Sequence, residues 1–233
     1  MSGRVLVVGA GGLSSPVLRL LAESSAAGVT VIDDDTVDES NLHRQTLYTD
    51  ADVGLPKIER AKHVLHQLAP KLSVDVVEGR FVPGTAAKLL EGHDFIIEGA
   101  DNLATKFLVA DAAHLAGVAA VQAGAVRWAG WAFCALPGSA CLRCLFEDIP
   151  RDRVETCAEA GVVGPGVGGL GALQAAFAFR LLEGERPPGE LWHYDALRGA
   201  LRKTHVRQRS DCPLCNGEIQ DLEVTRYTAA CAA

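Results

Sequence analysis

Two short cysteine pairs carry the most specific chemistry in the chain: CLRC, with Cys141 and Cys144, and CPLC, with Cys212 and Cys215. Each C-x-x-C is a natural half of a tetrahedral zinc centre, and together they supply four thiolates. A closed four-thiolate shell leaves no position for water, so the predicted role is structural; a redox dithiol pair is the alternative. With 67 residues between the pairs, a metal held there clips the middle of the chain to its end. Of the other three cysteines, Cys134 lies in an apolar pattern and Cys231 in the tail. Cys157 stands in the polar loop ETCAEAGVVGP, and its surroundings alone leave it an inert thiol or a nucleophile equally.

A second set of residues points to a nucleotide. In VGAGGLSSP, directly after the apolar run from Val5 to Val8, Gly9, Gly11 and Gly12 free the backbone to curve toward a phosphate. The helix expected after Leu13 aims its N–H groups and positive end at that phosphate. A dinucleotide fingerprint needs glycine at position 14, where Ser14 stands, and Asp33, 21 residues after Gly12, suits ribose hydroxyls. The loop alone fits either the pyrophosphate of NAD or the triphosphate of ATP. Downstream, DDDTVDESNLHRQ (Asp33–Gln45) adds Asn41, Arg44 and Gln45, and Lys57 follows on the next predicted helix. An arginine and a lysine that converge on the loop favour the denser charge of a triphosphate. In EGADN (Glu98–Asn102), Asp101 at a strand's carboxyl end is placed for Mg²⁺. Asn102 is placed for nucleotide contact and as N-cap of the helix that follows. The seven histidines form no metal spacing.

These residues need a scaffold. RVLVV, VTVID, VDVVEG and DFIIEGA read as strands, and Leu13–Glu23 and Leu103–Leu115 as helices. Pro56 is expected at N1 of a helix with Ile58, Ala61, Val64, Leu65 and Leu68 on one face. Apolar strands alternating with helices predict a Rossmann-like α/β fold: a mostly parallel sheet covered by helices on both faces, with ligands at the strands' carboxyl ends. After Val118 the pattern changes to AAVQAGAV and WAGWAFCAL, then to LWHYDA and ALRKTHVRQ facing each other across Leu197–Gly199. A C-terminal antiparallel extension stapled by the zinc site is expected. The whole, residues 1–233, reads as one domain, with a nucleotide-binding half over 1–125 and a zinc-bearing half over 126–233.

The bulk numbers narrow the class. The chain has 233 residues, 48% of them hydrophobic, with a net charge of −7, which argues against holding nucleic acid by phosphate neutralisation. An odd set of cysteines behind no signal peptide predicts a reducing compartment, the cytoplasm. GVVGPGVGGLGALQAAFAF is nineteen residues without a charge, near the lower length for a membrane span. Its glycines and Pro165 predict a continuous helix only from about Leu170 to Leu182, buried in a core or subunit interface rather than in a membrane.

In their order, GAGGLSS, DDDTVDESNLHRQ, Pro56-Lys57, GADN, CLRC, TCAEAGV and CPLC resemble the MoeB/ThiF/HesA family, bacterial relatives of the ubiquitin-activating enzymes. The resemblance spans nearly the whole chain. It implies a homodimeric enzyme that uses ATP and Mg²⁺ to adenylate the C-terminal glycine of a small ubiquitin-like sulfur-carrier protein ending in Gly-Gly. By motif it assigns Gly12 to the phosphate loop, and Asp33 and Asp35 to the D-x-D element at the ribose. It assigns Ser40, Asn41, Leu42, His43, Arg44 and Lys57 to the nucleotide, Asp101 to Mg²⁺, and Asn102 to nucleotide contact. The four paired cysteines go to Zn²⁺, and Cys157 matches a thiol that some members use in sulfur transfer. A separate sulfurtransferase is expected, since none follows the second knuckle. The family's arginine-bearing segment before the first strand has no counterpart ahead of Arg4, so slower adenylation is expected unless another basic residue substitutes. Two other classes compete: a non-catalytic dimer that binds nucleotide or carrier, and a nicotinamide dehydrogenase, which leaves Arg44, Lys57 and the four cysteines without a role.

Overall fold

The computed structural model describes residues 3–150 and 161–228. Cys157 and Cys231 lie outside the described residues. Eight strands form one sheet in the order β3-β2-β1-β4-β5-β6-β7-β8. They are β1 (Arg4–Val8), β2 (Gly28–Asp33), β3 (Ser73–Glu78), β4 (Phe95–Glu98), β5 (Ala119–Val126), β6 (Ala129–Ala135), β7 (Glu190–Asp195) and β8 (Ala200–His205). The first five pair in parallel, and from β5 to β8 every pairing is antiparallel. The change falls at the tight β5–β6 turn, because a two-residue link can return a chain only antiparallel, whereas each earlier strand is followed by a helical crossover.

Alternation along β1 splits the core in two. Val5 and Val7 face α1 (Ser14–Leu21), α2 (Lys57–Leu68) and α6 (Gly164–Leu182), whose Leu18, Ile58 and Leu170 are buried with them. Leu6 and Val8 face the layer of α3 (Pro83–Leu90), α4 (Leu103–Ala116), α5 (Leu142–Phe146) and the short C-terminal α7 (Thr225–Thr228). Burial on both sides is what a near-continuous apolar strand requires.

Three expectations need correction. The first helix is shorter than Leu13–Glu23: Leu13 is its N-cap and Leu21 its last residue. Pro56 is the N-cap of α2 with extended ψ, not N1, and Leu68 at the far end of the expected apolar face is exposed. The largest difference concerns α6, which starts at Gly164 and runs through the glycines instead of beginning near Leu170. Pro165 occupies the first turn, where a missing N–H costs nothing. Two of its glycines make close backbone approaches: a Cβ on Gly171 would overlap the Leu13 carbonyl and the Pro16 ring, and one on Gly164, the first residue, the His43 carbonyl. Among the described residues no helix is long and apolar enough to cross a membrane.

Candidate functional site

The strand order reverses between β1 and β4, and that crevice is where an open α/β sheet binds its ligand. Gly9 leaves β1 with φ of +87°, a left-handed conformation that favours glycine, and a Cβ there would stand 3.3 Å from the Gly99 carbonyl carbon after β4. Ser14, at the place of the missing fingerprint glycine, is buried, and its hydroxyl occupies the space a side chain at Gly99 would need. The departure in one loop is thus accommodated by the glycine of the other. A Cβ on Gly12 would meet the Val167 side chain at 2.9 Å and the Arg44 carbonyl at 3.3 Å. The loop backbone is therefore hemmed between the start of α6 and the polar segment before α2.

Asp33 closes β2 and ties the loop down: its carboxylate accepts the Ala10 N–H at 2.6 Å and the Asp35 N–H at 2.8 Å. Burial holds its pKa above the ordinary carboxylate value against those two donors. Each oxygen keeps a free lone pair for a ribose hydroxyl. Lys57, nearly buried at the start of α2, donates to Asp35 at 2.8 Å, and Arg80 pairs with Asp34 at 2.6 Å. The three consecutive carboxylates lie close enough to hold a cation. Each already meets a protein donor, so the cluster reads as the anchor of the loop and of Lys57.

Between them, Asp38 caps a 3₁₀ turn by accepting the Ser40 N–H at 2.8 Å. The turn carries Ser40 and Asn41 and leads into Leu42, His43 and Arg44. His43 Nδ1 faces the Ser40 carbonyl at 2.8 Å, and the Arg44 guanidinium lies 3.5 Å from His43 Nε2. At the end of β4, Asp101 is exposed, and Asn102 caps α4 by accepting the Thr105 N–H at 2.8 Å. The structure thus brings together Gly9, Gly11, Gly12, Asp33, Asp35, Lys57 and the 40–44 segment, with Asp101 and Asn102 on the adjoining strand-end loop.

Sequence reasoning missed Tyr48. Its buried hydroxyl donates to the Ala10 carbonyl at 2.7 Å, a second hold on the residue whose N–H Asp33 accepts. It also missed the buried Glu98–Lys106 ion pair, 3.0 Å from Lys106 Nζ to each Glu98 oxygen. A carboxylate ending an apolar strand and a lysine one turn into an apolar helix were the available signal.

The cysteine pairs converge. Cys141, Cys144, Cys212 and Cys215 place their sulfurs 3.5 to 3.8 Å apart, from Cys141 to Cys144, Cys212 and Cys215 and from Cys144 to Cys215. A tetrahedral Zn²⁺ with Zn–S bonds of about 2.3 Å demands S–S edges of about 3.8 Å, so the set fits zinc. The Arg209 N–H points at Cys144 Sγ at 3.4 Å, the second-layer donor that such thiolates attract. Arg143, inside the first knuckle, is fully buried and forks onto Asp111 of α4 at 2.9 Å through each of two nitrogens. Tyr227 donates to the same carboxylate at 2.8 Å. Cys134 is buried in β6, its thiol pushed up to about 12 by burial, and is inert packing.

Residues 1–214 match the model of the ThiF family. The chain is 37% identical over its whole length to the SAMP-activating enzyme E1 of Haloferax volcanii, covering 87% of that protein. Over 97% of its length it is 39% identical to the sulfur carrier protein adenylyltransferase of Thermus thermophilus, again covering 87%. It is also 35% identical over 91% of its length to the molybdopterin-synthase adenylyltransferase of Escherichia coli, covering 86%. The fold matches the crystal structure of Escherichia coli MccB with a TM-score of 0.80 at 21% identity, over 91% of this chain and 64% of that one.

Proposed function

The chain belongs to the ThiF family, and from that premise we propose that it adenylates the C-terminal glycine of a small ubiquitin-like sulfur-carrier protein, activating it for thiocarboxylate formation. The observation that carries this reading is the match, over nearly the full chain, to proteins named as a SAMP-activating enzyme E1, a sulfur carrier protein adenylyltransferase and a molybdopterin-synthase adenylyltransferase. In the reaction the carrier's terminal carboxylate attacks the α-phosphorus of ATP, a P–O bond forms, and the bond to pyrophosphate breaks. The nucleophile is already an anion, so no side chain need remove a proton.

The chain's own residues bind and hold charge. The glycine loop and the start of α1 take the phosphates, and Asp33 takes the ribose. Lys57 has N–H donors beyond the one given to Asp35, and Arg44 brings a second cation; together they stabilise charge growing on the leaving group. Ser40, Asn41, Leu42, His43 and Asn102 line the nucleotide. Asp101, exposed at a strand's carboxyl end and unencumbered by a cap role, offers a hard oxygen donor that suits Mg²⁺. Held there, Mg²⁺ would supply positive charge against the charge that develops on the phosphates. The four cysteines would hold Zn²⁺, which would serve as a structural ion.

We read the protein as a cytoplasmic homodimer, a single unit over 1–233, that draws sulfur from a separate sulfurtransferase, with Cys157 a candidate thiol for that later step. The test is ATP–pyrophosphate exchange with carriers ending in Gly-Gly. Exchange that depends on the carrier supports the proposal, and nucleotide binding without exchange points to the non-catalytic reading.

A further inference from the structure

The Glu98–Lys106 pair lies beneath the strand-end loop, and none of the roles above uses it. Glu98 is the last residue of β4 and wholly buried; Lys106 is in the first turns of α4 and nearly so. Gly99 to Asp101 and the cap Asn102 link the two elements. The carboxylate accepts from Lys106 through both oxygens at 3.0 Å and from the Ala100 N–H at 2.5 Å. Lys106 also donates to the Ala123 carbonyl on β5. The Glu98 backbone carbonyl accepts from the buried Gln174 of α6 at 2.7 Å, and Gln122 donates to the Lys106 carbonyl at 2.8 Å. Gly99 N–H is held by the Val8 carbonyl at 2.9 Å. The segment bearing Asp101 is thus clamped at both ends and in its middle, against the strand that feeds the glycine loop.

Ion pairs this deep contribute little to stability over an apolar pair of the same volume, because desolvation offsets their attraction. What an apolar pair cannot supply is a fixed acceptor for Ala100 and a direction for the loop. We propose that the Glu98–Lys106 pair is a positioning device that sets where Asp101 stands relative to the glycine loop, and so how well the site takes a magnesium–nucleotide complex. This rests on the adenylation reading and on Asp101 as the metal's donor.

The experiment measures ATP binding calorimetrically to the full-length zinc protein, with and without Mg²⁺, for three variants beside wild type. Glu98→Gln/Lys106→Met removes both charges and leaves none orphaned. Glu98→Asp retracts the carboxylate, and Glu98→Asp/Lys106→Arg restores reach from the other side. The first two are expected to keep the Mg²⁺-free affinity of wild type but to lose about 10–100-fold of the affinity gained with Mg²⁺, the range typical of removing an outer-layer partner. The Asp/Arg variant is expected to recover most of that gain. A folded Glu98→Asp protein with the wild-type response to Mg²⁺ overturns the proposal, as does an equal loss with and without Mg²⁺. If the charge-free variant does not fold, Glu98→Asp and its rescue carry the test. Wild-type protein that binds ATP with Mg²⁺ but fails in carrier-dependent exchange counts against the adenylation reading alone, since the binding comparison needs no carrier.

Discussion

At the scale of single residues the site separates groups that shape the loop from groups free to meet a ligand. Tyr48 donates its buried hydroxyl to the Ala10 carbonyl and Asp33 holds the Ala10 N–H while keeping lone pairs for a ribose, whereas Asp101 faces solvent. Asp101→Asn should therefore spare folding and depress exchange by at least about 10²-fold, since an amide is a poor donor to a hard cation where charge develops. Near-normal exchange in a folded Asp101→Asn protein would remove Asp101 from the mechanism. Lys57→Ala should act comparably on exchange and lightly on melting, because the partner it abandons, Asp35, is largely exposed and can be hydrated. A large fall in melting temperature with exchange preserved would make Lys57 a structural residue instead.

At the scale of elements, α6 shows how contact can override propensity. Glycines cost a helix interior up to about 1 kcal/mol each against alanine, yet this helix runs through five of them, and at Gly164 and Gly171 it meets another backbone. Gly171→Ala should destabilise by about 1–3 kcal/mol, because its Cβ is aimed at the Leu13 carbonyl and the main chain cannot yield as a side chain would. Gly168→Ala, with open space in that direction, should instead stabilise by up to about 1 kcal/mol. Denaturant unfolding of the two variants side by side checks the pair of signs. Equal effects would mean that propensity, not packing, governs the helix. Pattern reasoning from sequence missed the start of α6 for this reason: glycine counts as a breaker until the neighbouring backbone is known.

At the scale of the whole molecule, the cysteine centre joins the turn after β6 to the segment after β8, while Arg143 carries the join on to α4 through Asp111. One zinc per chain is the expected stoichiometry by metal analysis of protein purified without chelator. Its removal, or Cys212→Ser, should lower the melting temperature together with the metal content, since metal binding and folding are linked. Protein that holds no zinc yet melts unchanged would refute the staple.

Much of this was legible in the linear chain because the chemistry is local. The C-x-x-C spacing, the glycines after an apolar strand and the alternation of strand with helix each fall within a few residues, so their periods and intervals determine strand, loop and half-site. The tertiary structure alone decided what each group touches over long separations. Tyr48 reaches Ala10 across 38 positions, Arg143 reaches Asp111 across 32, and Ser14 fills the space above Gly99. It decided that Lys57 comes to the site buried and paired, and that Glu98 and Lys106 face each other instead of solvent. The sequence specifies which groups are present; desolvation and close packing, which exist only once the sheet and its two layers have assembled, select their partners.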